Sequence, residues 1–157
     1  MSDTIKLARY RNYGYTVNYN TMDGMYRTYL WSGSKNGKAD IKAVPEEVVQ
    51  YLMMDTTAFR DGELAIVEDN NKTKEIVDNL DPEYKNNSHS HEEVVKLLQG
   101  NANKMKAELK KITNKEELRY VCDVAKEIKL DSNSKLTFLS KLMGMPQDIL
   151  FAEDANK

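Results

Sequence analysis

Aromatic residues are concentrated in the first 60 residues of the chain. This uneven distribution is the sequence feature that most restricts which folds the chain can adopt. Seven of the nine tyrosines, the single tryptophan and Phe59 all precede residue 60. Because aromatic residues are enriched in strands, the sequence predicts a β-rich N-terminal module. Residues 91–152 instead carry apolar residues at helical spacing. The 157 residues leave room for one ordinary domain or two very small ones.

A β-hairpin is predicted near the start of the chain. Small or polar residues alternate with Tyr13, Tyr15, Val17 and Tyr19. This period of two is typical of a strand that turns one set of side chains to one face. Asp23-Gly24 is a turn signal, and residues 25–31 are again strand-like. Residues 32–40 have no apolar period and are predicted as a loop.

A helix is predicted to start at Pro45, where the missing N–H has no hydrogen bond to lose. Glu46 and Glu47 follow at the positive end of the helix dipole, and apolar residues at helical spacing extend the helix to about ten residues. One more short strand is expected at residues 63–67. The sequence thus predicts a small sheet or barrel-like module of three to five strands with one helix, spanning residues 4–68.

The segment that follows is polar, since residues 68–90 hold six acidic residues against three lysines. This composition predicts an acidic linker over residues 69–90. Four apolar residues leave open that the segment docks onto a module: Ile76, Val77, Leu80 and Tyr84.

Residues 91–152 are predicted to form a compact bundle of about four short helices. Ser90 and Glu93 have the spacing of a capping box, as do Thr113 and Glu116. The predicted fold class is therefore α+β, with a β-rich module followed by a helical module.

Residues that could carry chemistry are few. The chain contains no phosphate-binding glycine loop, zinc-protease helix or nucleophile elbow. Cys122 lies on an apolar stripe and is predicted as a core residue. His89 and His91 are the only histidines, and a zinc site would need a further ligand. We therefore expect no catalytic residue, no metal and no cofactor. The absence of an 18-residue apolar run predicts no membrane partner.

Two stretches are rich in basic residues although the net charge is −2. Residues 5–38 hold six basic residues against one acidic residue, and residues 96–142 hold eleven against six. Such patches, interleaved with exposed tyrosines, could bind a phosphate backbone and stack on unpaired bases. Solvated helix faces and a tyrosine-filled core explain the same residues. The candidate interaction residues are Arg9, Arg11, Tyr13, Tyr15, Arg27, Tyr29, Trp31, Lys104, Lys106, Lys110 and Lys111.

The DPEY sequence at residues 81–84, followed by HEEVVKLLQGN, resembles a widespread group of small bacteriophage proteins. In that group a β-rich N-terminal module precedes a "PEY" linker and a helical C-terminal module. The similarity continues at LRYVCDVAKEIKLDSNSKLTFLSKLMGM and, in the first module, at Arg11, Arg27 and the VPEE helix start.

The resemblance implies a phage or prophage origin and a non-enzymatic structural or accessory role in the virion or its assembly. The implied partners are phage structural proteins of the capsid, neck or tail, and further copies of the chain. The implied location is the virion or the cytoplasm of the bacterial host. The alternative interpretation is a phage nucleic-acid-binding or regulatory protein that uses the basic patches and exposed tyrosines.

Overall fold

The computed structural model describes residues 4–21, 24–35 and 37–151. The chain divides into two compact units, Met1–Ser88 and His89–Lys157. Asp23 of the predicted turn and residue 152 of the predicted bundle lie outside the described residues. The elements of the first unit are β1 (Thr4–Arg9), β2 (Tyr15–Asn20), β3 (Tyr26–Trp31), β4 (Asp40–Pro45), α1 (Glu46–Asp55), β5 (Ala65–Ile66), α2 (Asn71–Asp78) and α3 (Glu83–Asn87).

The strands of the first unit form two small antiparallel sheets. β1 lies between β4 and β5 in a three-stranded sheet, and β2 pairs with β3 in a hairpin. The turn of this hairpin is held by the Thr21 N–H, which donates to the Met25 carbonyl at 2.7 Å. Gly24 adopts φ +85°, a left-handed conformation that glycine tolerates without steric cost. The predicted hairpin is confirmed.

Helix α1 closes the core of this unit. Its apolar stripe buries Val48, Val49 and Leu52, each no more than 1% exposed. These side chains belong to one hydrophobic cluster that also takes in Trp31 and Phe59. The helix predicted to start at Pro45 is confirmed with its first residue at Glu46, since Pro45 ends β4 and is the N-cap, and the α+β class is also confirmed.

The polar segment at residues 69–90 differs from the predicted linker, because it contains helices α2 and α3. Ile76 and Tyr84 join the hydrophobic cluster of the first unit, and the Tyr84 hydroxyl accepts a hydrogen bond from the Ile66 N–H at 2.9 Å. Asn70 and Thr73 form a capping box at the start of α2. Short amphipathic helices can be mostly polar in composition yet bury one narrow apolar stripe, which explains the difference.

The regular elements of the second unit are all helices within its described residues. Its elements are α4 (His91–Gln99), α5 (Ala102–Leu109), α6 (Lys115–Glu127), α7 (Asn133–Met143) and α8 (Gln147–Leu150). The capping box of Ser90 and Glu93 is confirmed. The second predicted box is wrong, because Asn114 caps α6 in place of Thr113 and accepts hydrogen bonds from two backbone N–H groups.

Helix α6 is the centre of this unit and packs against α4 and α7. Val121, Cys122 and Val124 on its stripe are each no more than 2% exposed. Cys122 is therefore a core residue, as its position on the stripe predicts.

The docked α2 segment yields a stability prediction. We expect Ile76→Ala to lower the free energy of unfolding of the first unit by about 2–4 kcal/mol, because it leaves a cavity in the cluster. Trp31, the only tryptophan, lies in that cluster, so its fluorescence during urea unfolding reports on this unit. Glu75→Ala, at an exposed position of the same helix, is the control. Equal stability of the two variants would contradict the docking.

Candidate interaction surface

The hairpin of β2 and β3 has two distinct faces. Opposed residues share a face, as with Tyr15 and Trp31 on one side and Thr16 and Leu30 on the other. The inner hairpin face packs on the core of the first unit and consists of Tyr15, Val17, Tyr19, Tyr29 and Trp31. The outer hairpin face is exposed and consists of Thr16, Asn18, Asn20, Tyr26, Thr28 and Leu30.

Most of the aromatic residues predicted to interact lie on the inner face, which corrects the expectation that they are exposed. Trp31 is fully buried, and its indole Nε1 donates to the Leu7 carbonyl at 3.1 Å. Tyr15 and Tyr29 are half-buried against the core. Only Tyr13, just before β2, is exposed among them, at 46%. The tyrosine alternation therefore marks the side of the strand that packs inward.

Arg9 was also expected at the surface, but its side chain is fully buried. Its Nε donates to the Tyr13 carbonyl and its Nη1 to the Glu63 carbonyl, both at 2.8 Å. The guanidinium carbon lies 4.6 Å from the centre of the Tyr13 ring and 5.4 Å from that of Tyr15, within the range of cation–π attraction. Arg9 thus serves the interior of the first unit.

Arg11, 1% exposed, is the second buried cation. Its Nη1 forms an ion pair with the carboxylate of Glu63. Its Nη2 donates to the carbonyls of Asp61 at 2.5 Å and Asn87 at 3.3 Å. Gly62 lies so close that a β-carbon there would fall 1.7 Å from the Asn87 carbonyl oxygen. Burial of Arg9 and Arg11 removes both from the predicted basic surface.

The outer hairpin face carries apolar residues that the sequence analysis did not single out. Tyr26 is 64% exposed, Leu30 58%, and the adjoining Met25 54%. Arg27 is also exposed on β3, but it is opposed to Tyr19 and so does not belong to the outer hairpin face. The hairpin register would have predicted the exposure of Tyr26. The turn places Tyr26 opposite Asn20, so Tyr26 lies on the face opposite to that of Tyr15, Tyr19 and Tyr29.

The predicted lysine cluster lies on and just after α5 in the second unit. Three of its members are exposed: Lys104, Lys110 and Lys111. The ammonium of Lys106 lies 5.7 Å from the centre of the Phe138 ring, and that of Lys111 lies 3.2 Å from Glu108. The structure therefore places the predicted basic residues in two separate units and exposes only part of them.

Each histidine of the second unit is paired with a glutamate. His89 Nδ1 lies 2.8 Å from Oε2 of Glu117, whose side chain is 1% exposed. Burial alone would lower the pKa of His89. The hydrogen bond and charge of Glu117, together with the charges of Glu93 and Glu108, outweigh that effect, so the net shift of the pKa is upward. His91 Nε2 lies 3.2 Å from the Glu127 carboxylate.

Cys122 and the other candidate ligands do not form a reactive centre in the described parts of the chain. Burial raises the pKa of the Cys122 thiol to about 12, so the thiol stays protonated at neutral pH. Among residues 4–21, 24–35 and 37–151, no group of three or more His, Cys, Asp or Glu side chains is placed to hold a metal ion. Within the same ranges, no helix is both long and apolar enough to cross a membrane.

The fold and surface define a two-domain α+β protein whose N-terminal domain presents an exposed hairpin face. Residues 3–82 match the family model of the YonA N-terminal domain, and residues 90–149 match that of the YonA C-terminal domain. The chain therefore belongs to the YonA family, a two-domain, phage-associated family. The resemblance to two-module phage proteins is confirmed. Neither the curated proteins nor the solved structures include a match to the chain.

The arginine network yields a prediction about charge balance. We expect Glu63→Gln to destabilise the first unit by about 2–4 kcal/mol, because it leaves two buried guanidinium groups without a carboxylate. Urea unfolding followed by Trp31 fluorescence measures this. The matched control is Glu75→Gln on the exposed side of α2, which should change stability little. A Glu63→Gln variant as stable as that control would show that the ion pair contributes nothing.

The His89–Glu117 pair yields a pH prediction. The folded pKa of His89 is raised, so the stability it contributes is complete below the unfolded value of about 6.5 and is lost as pH rises through the folded pKa. His89→Gln cannot titrate at this position. We expect amide hydrogen exchange in α6 to be slower in the original chain than in this variant at pH 6, with the difference shrinking toward pH 8.5. A difference that does not depend on pH would contradict the assignment.

Proposed function

We propose that the chain is a non-enzymatic structural or accessory protein of a bacteriophage, and that it mediates protein–protein contacts in the virion or during its assembly. It would act in the particle or in the cytoplasm of the bacterial host. Its partners would be capsid, neck or tail proteins. Membership of a phage-associated two-domain family supports the setting, and the exposed outer hairpin face supports the mode of action.

The apolar part of the outer hairpin face is the observation that carries this proposal. Tyr26 and Leu30 lie on one face of β3 with Thr28 between them on that face, and Met25 precedes Tyr26 in the chain. Large apolar residues grouped on an exposed face are typical of binding surfaces. Tyrosine and methionine are also enriched in protein–protein interfaces. A sheet held from below by the core offers such residues in a fixed arrangement.

The residues whose side chains could take part in a reaction support a binding role over catalysis, because they make contacts in the interior of each unit. Arg9 and Arg11 bind Glu63 and backbone carbonyls. The Cys122 thiol is buried and keeps its proton. His89 is held by a buried glutamate.

Nucleic-acid binding is the second candidate, and the exposed lysines of the second unit favour it. Lys104, Lys110 and Lys111 could contact phosphates, and such contacts weaken steeply with salt. The inner position of Tyr15 and Tyr29 argues against base stacking by those rings. A gel shift with single- and double-stranded DNA over a salt series tests this candidate. Binding that is lost in a Lys104→Gln, Lys110→Gln, Lys111→Gln variant would favour it over the proposal.

The leading proposal predicts that the chain is present at stoichiometric level in purified particles of the phage that encodes it. Quantitative mass spectrometry of gradient-purified particles measures this. Replacing both Tyr26 and Leu30 by threonine keeps β-propensity, and each loss should weaken partner binding by about 2 kcal/mol, roughly thirtyfold. We therefore expect the double variant to fold but to be depleted from particles.

The control for this experiment is Met54→Gln at a 78% exposed position of α1. It removes an exposed apolar side chain from the same unit without touching the hairpin. Absence of the unaltered chain from particles would overturn the proposed role. Normal incorporation of the double variant would overturn the assignment of the role to the outer hairpin face.

A further inference from the structure

Strand β2 is an edge strand without the usual protection. Its sequence, YTVNYN, contains no charged residue and no proline over six residues. Natural proteins protect exposed edges with lysine, proline, bulges or very short strands. The other sheet follows that practice, because edge strand β4 carries Lys42 and Pro45, and β5 is only two residues long.

The backbone of β2 is available on the side away from β3. Among the described strands, β2 pairs only with β3, and its residues form no further backbone hydrogen bonds within the described ranges. Because Thr21 bonds to Met25 across the turn, hydrogen-bonded pairs alternate from there along the hairpin. Thr16, Asn18 and Asn20 therefore direct their N–H and C=O groups outward, to the open edge.

The core of the unit holds this edge in place. The Tyr19 ring lies 5.1 Å from that of Tyr51 on α1, and its hydroxyl lies 3.2 Å from a carboxylate oxygen of Glu47. On the opposite side, the Thr28 hydroxyl donates to the Asn18 side-chain oxygen at 3.0 Å. The strand is thus anchored on its inner face and across the hairpin, while its edge stays open.

We propose that β2 pairs antiparallel with β2 of a second copy of the chain, joining two hairpins into one four-stranded sheet. A strand without charge can face its own copy without opposing like charges. Two further strands would extend the small sheet and give partners to the outward N–H and C=O groups of β2. The two-fold arrangement pairs the β2 edges of both copies with each other, so association through β2 stops at a dimer. This inference goes beyond the proposed function, because it concerns the purified chain alone.

The geometry of antiparallel pairing limits the register. Opposed residues must share a face, so even-numbered residues of β2 must face even-numbered residues of the other copy. Two registers that satisfy this rule give the greatest overlap of the two strands. In the register that places residue 18 opposite residue 18, residue 16 lies directly opposite residue 20 of the second copy. In the register that places residue 17 opposite residue 17, residue 16 lies diagonal to residue 20. Strands of six residues bury less area than a standard interface, so we expect a dimer that dissociates on dilution.

Charge placed at these two positions tests the proposal. Sedimentation velocity over a concentration series gives the dimer dissociation constant of the full chain. We expect the Thr16→Lys, Asn20→Lys variant and the Thr16→Glu, Asn20→Glu variant each to dissociate at least about tenfold more readily, because like charges then oppose each other. An equimolar mixture of the two should restore a dimer, since opposite charges then meet. Unchanged Trp31 fluorescence would show that the hairpin remains folded.

The matched control is Ile41→Lys with Ala43→Lys, which places two lysines at exposed positions of β4 and should leave the dimer intact. A chain that is monomeric at all concentrations would overturn the proposal. So would charge variants that dimerise like the original chain, or a lysine and glutamate mixture that stays monomeric. None of these results bears on whether the chain is present in phage particles, which is measured separately.

Discussion

The ion pair between Arg11 and Glu63 is the interaction on which the first unit most depends. Arg11 lies just after β1, Glu63 just before β5, and the same guanidinium also reaches the carbonyl of Asn87 at the end of α3. It therefore joins the end of β1 to two segments that lie 50 to 76 residues further along the chain. Buried guanidinium groups are costly unless most of their donors find acceptors. The chain meets this requirement mainly with backbone carbonyls, which holds the loops around Gly62 in one conformation.

This network also explains where sequence reasoning succeeded and where it did not. The hairpin, α1 and the capped start of α4 follow from local patterns that the structure keeps. Arg9 and Arg11 look like surface cations in sequence, because nothing local reveals that acceptors 50 or more residues away will enclose them. The segment holding Ile76 and Tyr84 looks like a linker because its composition is polar, although Ile76 on α2 and Tyr84 on α3 both pack into the hydrophobic cluster of the first unit.

The site prediction differed from the structure for a related reason. Alternating tyrosines indicate that one face of a strand is aromatic, but the pattern does not indicate whether that face packs on the core or is exposed. Here Tyr15 and Tyr19 turn inward, and the exposed tyrosine of the two paired strands is Tyr26, which has the other phase. The hairpin register settles this, and it depends on the geometry of the turn between Thr21 and Met25.

The junction of the two units has a consequence for the exchange of domains between related genes. Asn87 supplies both its side chain and its carbonyl to the first unit, and His89, only two residues later, supplies its imidazole to the second. Ser88 is the only residue between these two anchors. A recombination event that swaps one domain must therefore fall almost on a single codon, or else one unit loses a buried hydrogen-bond partner. Such a junction favours inheritance of the two domains as a pair.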